Sequence, residues 1–230
     1  MSTPIESLAG IPLLRSLPPE EIRRLDRACT WRRYGPSESI VEPEGEGPRV
    51  EFVVAGGVRV MLHSPERDVI FTDIPAGGFF GDMSVIDGAP RVASVTALYT
   101  TLVAALPGPL FLDTVLHHPE VARRLLEVMT SRLRTAIDRV VELSLLDVGH
   151  RIRSELIRLA RVHADDPRRA TLSPPPIQAV IAARTGTRRE AVSRELNRME
   201  RAGQLERRRG AWTLTDRLAL IEEIRRAAGD

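Results

Sequence analysis

The sequence predicts an α+β protein: an antiparallel β domain, then a long helix, then a small helical domain ending in a hairpin. Three observations carry that prediction. From Tyr34 to about Leu106 the chain runs in short β-branched segments, "RVEFVVAGGVRVML", "DVIFTDI" and "ASVTALYTTLVAAL", punctuated by Gly, Pro, Asp and Ser. After "HHPE" the apolar residues switch to alternating spacings of four and three. Beyond Gln178 two short helical patterns flank a turn at Thr185-Gly186, which is helix-turn-helix spacing.

The first element is a short helix in "LPPEEIRRLDRAC", opened by prolines, with Ile22, Leu25 and Cys29 at helical spacing as a cap on the β domain. Within that domain Gly56-Gly57 and Gly77-Gly78 mark turns or bulges. In the long helix Ala122, Leu126, Met129, Leu133, Ala136, Val140 and Leu143 form a heptad seam, suited to pairing with a twin helix across a dimer axis. A second stripe of Leu125, Ile137 and Val141 gives the same helix another surface to bury. A further helix is expected from Asp147 through Ala164, followed by "DDPRRATLSPPPI" as a connector.

In the second helix of the helix-turn-helix, expected to open at Thr187, Val192, Leu196 and Met199 make the buried stripe. Arg189, Glu190, Ser193, Arg194 and Asn197 are left on the other face, where they suit base edges. Thr187 and Glu190 also satisfy the spacing of a capping box, so Glu190 has two possible roles. "QLERRRGAWTLTD" reads as a hairpin whose Arg207, Arg208 and Arg209 suit phosphates better than bases.

Charge supports this division of labour. All 33 basic residues are arginine, so position, and not number, decides which arginines matter. Residues 1–146 hold 15 Arg against 19 acidic residues, and residues 147–230 hold 18 against 12, net charges of −4 and +6. Only the C-terminal part is suited to a polyanion.

Composition excludes several classes. With 43% hydrophobic and 28% charged residues and no long apolar run, the chain reads as a soluble protein that neither enters nor binds a membrane. "MSTPIESLAG" lacks the basic start and apolar core of a signal peptide, so the cytoplasm is expected. The single Cys29 permits no internal disulfide and cannot alone supply an iron–sulfur or zinc site. His63, His117, His118, His150 and His163 have no metal-ligand spacing and no nucleophile beside them, so neither a metal nor an enzymatic activity is expected.

One segment remains, "FFGDMSVIDGAPRVASVTA". Gly81 allows close backbone approach, Asp82 offers a carboxylate, and Arg91 presents a planar fork for phosphate oxygens. The chemistry alone fits an anion cradle and a structural Asp82–Arg91 ion pair equally.

This segment resembles the phosphate-binding cassette of cyclic-nucleotide-binding domains. The stretches "LLDVGHRIRSEL" and "TGTRREAVSREL" follow it in the order found in the Crp/Fnr transcription regulators. The likeness runs from "GIPLLRSLPPEEI" to the hairpin near Trp212. It implies a β-roll of the cyclic-nucleotide-binding type over residues 1–118, a dimerisation helix over 119–146 and a winged helix-turn-helix domain over 147–230.

The resemblance also implies roles. Gly81 and Asp82 approach a ribose hydroxyl, Arg91 clamps a cyclic phosphate, and Met83, Ser84 and Val92 complete the cassette. Asp82 stands for the family's usual Glu, and Val92 for a small residue, keeping a backbone N–H but narrowing the phosphate end. Ala136-Ile137 occupy the positions where cyclic-AMP-responsive relatives carry a Thr-Ser pair on the long helix. Thr135 and Arg132 beside them are either effector contacts or an exposed polar face. Arg189, Glu190 and Arg194 match the family's base-reading triad, flanked by Thr187, Arg188 and Ser193, with Arg208 set for a phosphate.

The implied protein is a homodimeric, effector-responsive transcription regulator controlled by cyclic AMP or cyclic GMP, with a palindromic DNA operator and RNA polymerase as partners. The alternative is a DNA-binding regulator whose β-roll is a ligand-free dimer platform or takes a different small effector.

Overall fold

The computed structural model describes residues 6–41, 48–64 and 68–229. The chain divides after Arg132 into two compact units. The fold is mixed, with antiparallel sheets and separate helices, an α+β arrangement.

The N-terminal unit opens with two single turns, Leu8–Gly10 and Pro12–Leu14, and helix α1, Pro19–Ala28. Eight strands follow: β1 (Thr30–Tyr34), β2 (Ser39–Val41), β3 (Arg49–Ala55), β4 (Gly57–Leu62), β5 (Val69–Pro75), β6 (Phe79–Phe80), β7 (Ser94–Ala97) and β8 (Thr101–Pro107). Helix α2, Asp82–Asp87, interrupts them, and α3, Gly108–His117, and the first half of α4, Pro119–Leu145, which runs on past the division at Arg132, close the series. The strands form two four-stranded antiparallel sheets, ordered β1-β8-β3-β6 and β2-β7-β4-β5. The run "ASVTALYTTLVAAL" therefore splits between the sheets, β7 going to one and β8 to the other.

Two-residue alternation decides which face each side chain buries. Val50 and Phe52 of β3, with Ala104 and Leu106 of β8, pack against Leu25, Phe111, Val121 and Leu125 of the helices. Val53 points the other way, into a cluster with Val58, Phe80 and Val95 inside the roll. A strand buried on both faces should be apolar throughout. β3 departs from this at Glu51, which is buried on the same side of the strand as Val53.

On α4 the second stripe is only partly buried. Leu125 is covered, whereas Ile137 and Val141 are exposed, as are the seam residues Leu126, Leu133, Val140 and Leu143. Cys29 ends α1 half-buried, and burial pushes its thiol up to about 12, leaving it unreactive at neutral pH.

The C-terminal unit contains α5 (Val148–Leu159), β9 (Arg161–Val162), β10 (Ala170–Leu172), α6 (Gln178–Thr185), α7 (Arg189–Arg201), β11 (Leu205–Arg208), β12 (Ala211–Leu214) and α8 (Arg217–Ala228). Asp147 caps α5 by accepting the His150 N–H at 2.8 Å, which lowers its pKa. The helix ends five residues sooner than the sequence suggested, because Arg161 and Val162 pair with β10. β10 itself lies inside the presumed connector and joins the hairpin in a sheet ordered β11-β12-β10-β9. Ile152, Leu156, Ile181, Val192, Leu196, Met199, Leu214 and Leu220 form the core of this unit.

Buried charge locks these helices together. Arg153 of α5, 4% exposed, donates to Glu195 of α7 at 2.7 Å and to Glu223 of α8 at 2.6 Å. Glu155, also buried, meets Arg184 at 3.5 Å and pairs with Arg158. Removing one partner from such a pair strands a charge in low dielectric, a loss of about 3–5 kcal/mol. Arg153→Met should therefore destabilise the C-terminal unit by about that amount, read as a lower denaturant midpoint, and adding Glu195→Leu should recover much of the loss. Equal stability of wild type and Arg153→Met would show that the network contributes little.

Candidate functional site

The cassette residues gather inside the N-terminal unit. β6 ends at Gly81, whose φ of 81° lies in the left-handed region, and α2 starts at the next residue. A side chain at position 81 would run into the Arg91 guanidinium, the Glu51 carboxylate and the Arg49 carbonyl, so glycine is required for conformation and for space.

Asp82 and Arg91 do not pair with each other. Both oxygens of the buried Asp82 accept from Arg132 Nη1, at 3.0 and 2.9 Å, while Arg132 Nη2 donates to the Phe79 carbonyl at 2.7 Å. The Arg132 guanidinium also lies 4.8 Å from the centre of the Phe79 ring, a cation–π contact. Arg132 is thus held at the cassette and is not part of a merely exposed helix face. Arg91 engages Glu51 at both ends of its fork, Nη2 to Oε1 at 2.9 Å and Nη1 to Oε2 at 3.1 Å, and Nη2 also donates to the Arg49 carbonyl at 3.0 Å. Burial raises the Glu51 pKa to about 7, with Arg91 pulling it back.

The remaining cassette positions are less enclosed. α2 buries Asp82 and Val85 on one side, which turns Met83 and Ile86 outward, and Ser84 is half-buried. Val92 is 71% exposed, so its branches do not narrow the phosphate end as the sequence suggested. The chain between α2 and β7 is irregular there and carries that side chain into solvent. Thr135 and Ala136 are exposed residues on the part of α4 that belongs to the C-terminal unit. Glu51 escaped the sequence reading; its signal was a lone carboxylate within the apolar run "VEFVV".

The second cluster is the helix-turn-helix. Gly186, at φ 64°, ends α6 in the left-handed region, and the Thr187 N–H returns to the Ala182 carbonyl at 3.0 Å. α7 then starts at Arg189, with Arg188 as an extended cap residue and no side-chain cap bond. The capping box is therefore absent: the cap position falls on Arg188, one residue beyond Thr187, and Glu190 is no longer the third residue after the cap. Val192, Leu196 and Met199 are wholly buried, and Arg189, Glu190, Arg194 and Asn197 face solvent, with Ser193 half-buried.

The hairpin arginines divide. Arg207 donates to Asn197 Oδ1 at 2.7 Å and to Glu200, tying the wing to α7, and is not available to a phosphate. Arg208 is 83% exposed with only a loose Glu206 contact at 3.6 Å, and Arg209 is exposed. Arg188, Arg189 and Arg194 form no ion pair among the described residues. The result is an outward face of cationic and polar donors beside a basic wing, suited to a nucleic-acid duplex.

Among the described residues, no group of three or more His, Cys, Asp or Glu side chains is placed to hold a metal ion. No described helix is long and apolar enough to cross a membrane.

Comparison with known proteins gives a consistent assignment. Residues 31–118 match the cyclic nucleotide-binding domain model, and residues 150–223 match the Crp-like helix-turn-helix domain model. The chain is 30% identical over 228 residues to the cyclic AMP receptor protein of Thermus thermophilus, covering 94% of this chain and 98% of that one. It is 26% identical over 194 residues to the CRP-like cAMP-activated global transcriptional regulator of Mycobacterium tuberculosis, covering 83% and 86% of the two chains. The fold resembles that of a CooA mutant from Carboxydothermus hydrogenoformans, with a TM-score of 0.77 at 22% identity over 97% of this chain and 98% of that one.

Proposed function

The chain belongs to the Crp/Fnr family of DNA-binding transcription regulators, and from that membership we propose that it is a homodimer whose β-roll binds a cyclic nucleotide to control recognition of a palindromic operator. The observation that carries the effector reading is the sheltered fork of Arg91, set beside Gly81 within a cyclic nucleotide-binding domain. A singly charged cyclic phosphate presents paired oxygens that suit such a fork. Cyclic AMP and cyclic GMP both offer this group, and in this reading Gly81 and Asp82 take the ribose hydroxyl. Arg132, which holds Asp82, is the helix residue most directly tied to the site. RNA polymerase is the proposed partner at the promoter.

A second reading is favoured by the charge balance. Arg91 and Asp82 each already have a protein partner, which is what a ligand-free platform would look like. Calorimetry with cyclic AMP and cyclic GMP separates the two. Arg91→Ala should weaken effector binding by roughly tenfold to a hundredfold, since hydrogen bonds to charged groups contribute about 1.5–3 kcal/mol. Arg91→Lys should also weaken it, because a point charge cannot replace the fork. Affinity unchanged in both variants would mean that the effector does not use Arg91.

The dimer reading rests on Leu126, Leu133, Val140 and Leu143, which leave an exposed apolar stripe on α4. Leu133→Glu should give a folded monomer by sedimentation, because the position is 62% exposed within one chain but would place two carboxylates together across a two-fold axis. A stable dimer would move the interface elsewhere.

For DNA, a two-fold dimer should read half-sites about 34 Å apart, a spacing carried over from helix-turn-helix dimers that include a member of this family. Arg189 and Arg194 can each donate twice to guanine, and Glu190 can accept from cytosine N4. Arg194→Ala should cost about 1–3 kcal/mol per half-site and relax one base preference, whereas Arg208→Ala should weaken all sequences alike and flatten the salt dependence. With no cap bond to lose, Glu190→Gln should change the base selected from a randomised site while leaving the melting temperature unchanged. An unaltered selection would remove Glu190 from the reading set.

A further inference from the structure

Glu51 stands where the strand calls for an apolar side chain. β3 buries Val50 and Phe52 on one face and Val53 on the other, and Glu51 shares the Val53 side with a side chain only 8% exposed. A carboxylate in such a place must be paired or lose its charge. Arg91 supplies the pairing, and the geometry is the two-point match that an arginine makes with an oxyanion. Nη2 gives a further N–H to the Arg49 carbonyl, so no two-point face of the guanidinium remains whole for a ligand.

We infer that Glu51 is a built-in competitor for the Arg91 fork: an oxyanionic effector gains the fork by displacing this carboxylate, which then takes up a proton instead of standing charged beside the bound anion. The inference rests on the effector reading above and adds the group that sets the affinity of the site and links it to pH.

The surroundings support it. Arg91 faces Glu51 from the loop after α2, Arg49 from its own strand and the phenol of Tyr34 from β1. Asp82 lies just beyond Gly81 with its charge met by Arg132. Glu51 titrates near 7 even with Arg91 against it. Losing Arg91 and gaining an anionic neighbour both push it higher. The sign follows from linkage: above about pH 7 the free protein holds Glu51 ionised and the complex holds it protonated, so binding takes up a proton and affinity falls as pH rises. Below about pH 7 the group is already protonated and affinity should level off.

The test is titration calorimetry of the full chain with cyclic AMP and cyclic GMP at about pH 6 and about pH 8.5, each in two buffers of different ionisation enthalpy. Wild type should bind roughly tenfold or more weakly at the higher pH, with uptake there approaching about one proton per site. Glu51→Gln should bind more tightly than wild type at the higher pH and lose the pH dependence, and histidine contributions cancel in that comparison. If this variant does not fold, the proton count of the wild type decides alone. Nucleotide binding without proton uptake and without pH dependence would overturn the competitor and leave the effector reading standing. Failure of wild type and Glu51→Gln to bind either nucleotide at either pH would overturn both.

Discussion

A guanidinium drawn out of water is best stabilised by a carboxylate, and in a chain whose only cationic side chain besides histidine is arginine this pairing shapes the functional elements of both units. Arg153 reaches from α5 to Glu195 on the inner face of α7, which sets the rotation of that helix and leaves Arg189, Glu190 and Arg194 pointing outward. Arg132 reaches from α4 to Asp82 at the start of α2, and Arg91 crosses from the following loop to Glu51 on β3. Each contact joins elements far apart in sequence, and each is directional enough to fix an orientation that hydrophobic packing alone would leave looser.

The same rule separates structural arginines from functional ones. In the C-terminal unit Glu155, Glu195, Glu200 and Glu223 are engaged by Arg184, Arg153 and Arg207. That leaves Arg188, Arg189, Arg194 and the wing-tip Arg208 and Arg209 facing water on the recognition side. The recognition helix and the wing tip thus contribute exposed cations to the net charge of +6 read from residues 147–230. A polyanion would meet cations that have little internal competition.

What the sequence made legible follows from how local each signal is. The buried stripe of Val192, Leu196 and Met199 needs only the helical period, and the turn at Gly186 only a residue that accepts a positive φ. Signals that depend on distant partners were misread. Residues beyond Leu159 have helical composition but pair with β10, whose three residues are too few to stand out among prolines. Of the two roles open to Glu190, the capping box fails because an extended Arg188 takes the cap position and leaves Thr187 outside it. The partners of Asp82 and Arg91 lie 50 and 40 residues away, beyond the reach of any motif, so the sequence offers only an anion cradle or a local Asp82–Arg91 pair and neither long-range partner.

The two readings of the β-roll thus reduce to a single exchange at one guanidinium. A ligand shifts an equilibrium only by its differential affinity, so what matters is the affinity of the phosphate for Arg91 relative to that of Glu51, an internal rival that is always present. If the carboxylate wins, the roll is a closed platform with a neutralised interior. If the phosphate wins, the carboxylate has to find a proton, with Arg49 and Tyr34 among the groups that act on it. Asp82 and Arg132 do not change this contest, because their charges already cancel. Ligand-free platform and effector site are then two occupancies of one fork, and the protonation of Glu51 decides between them.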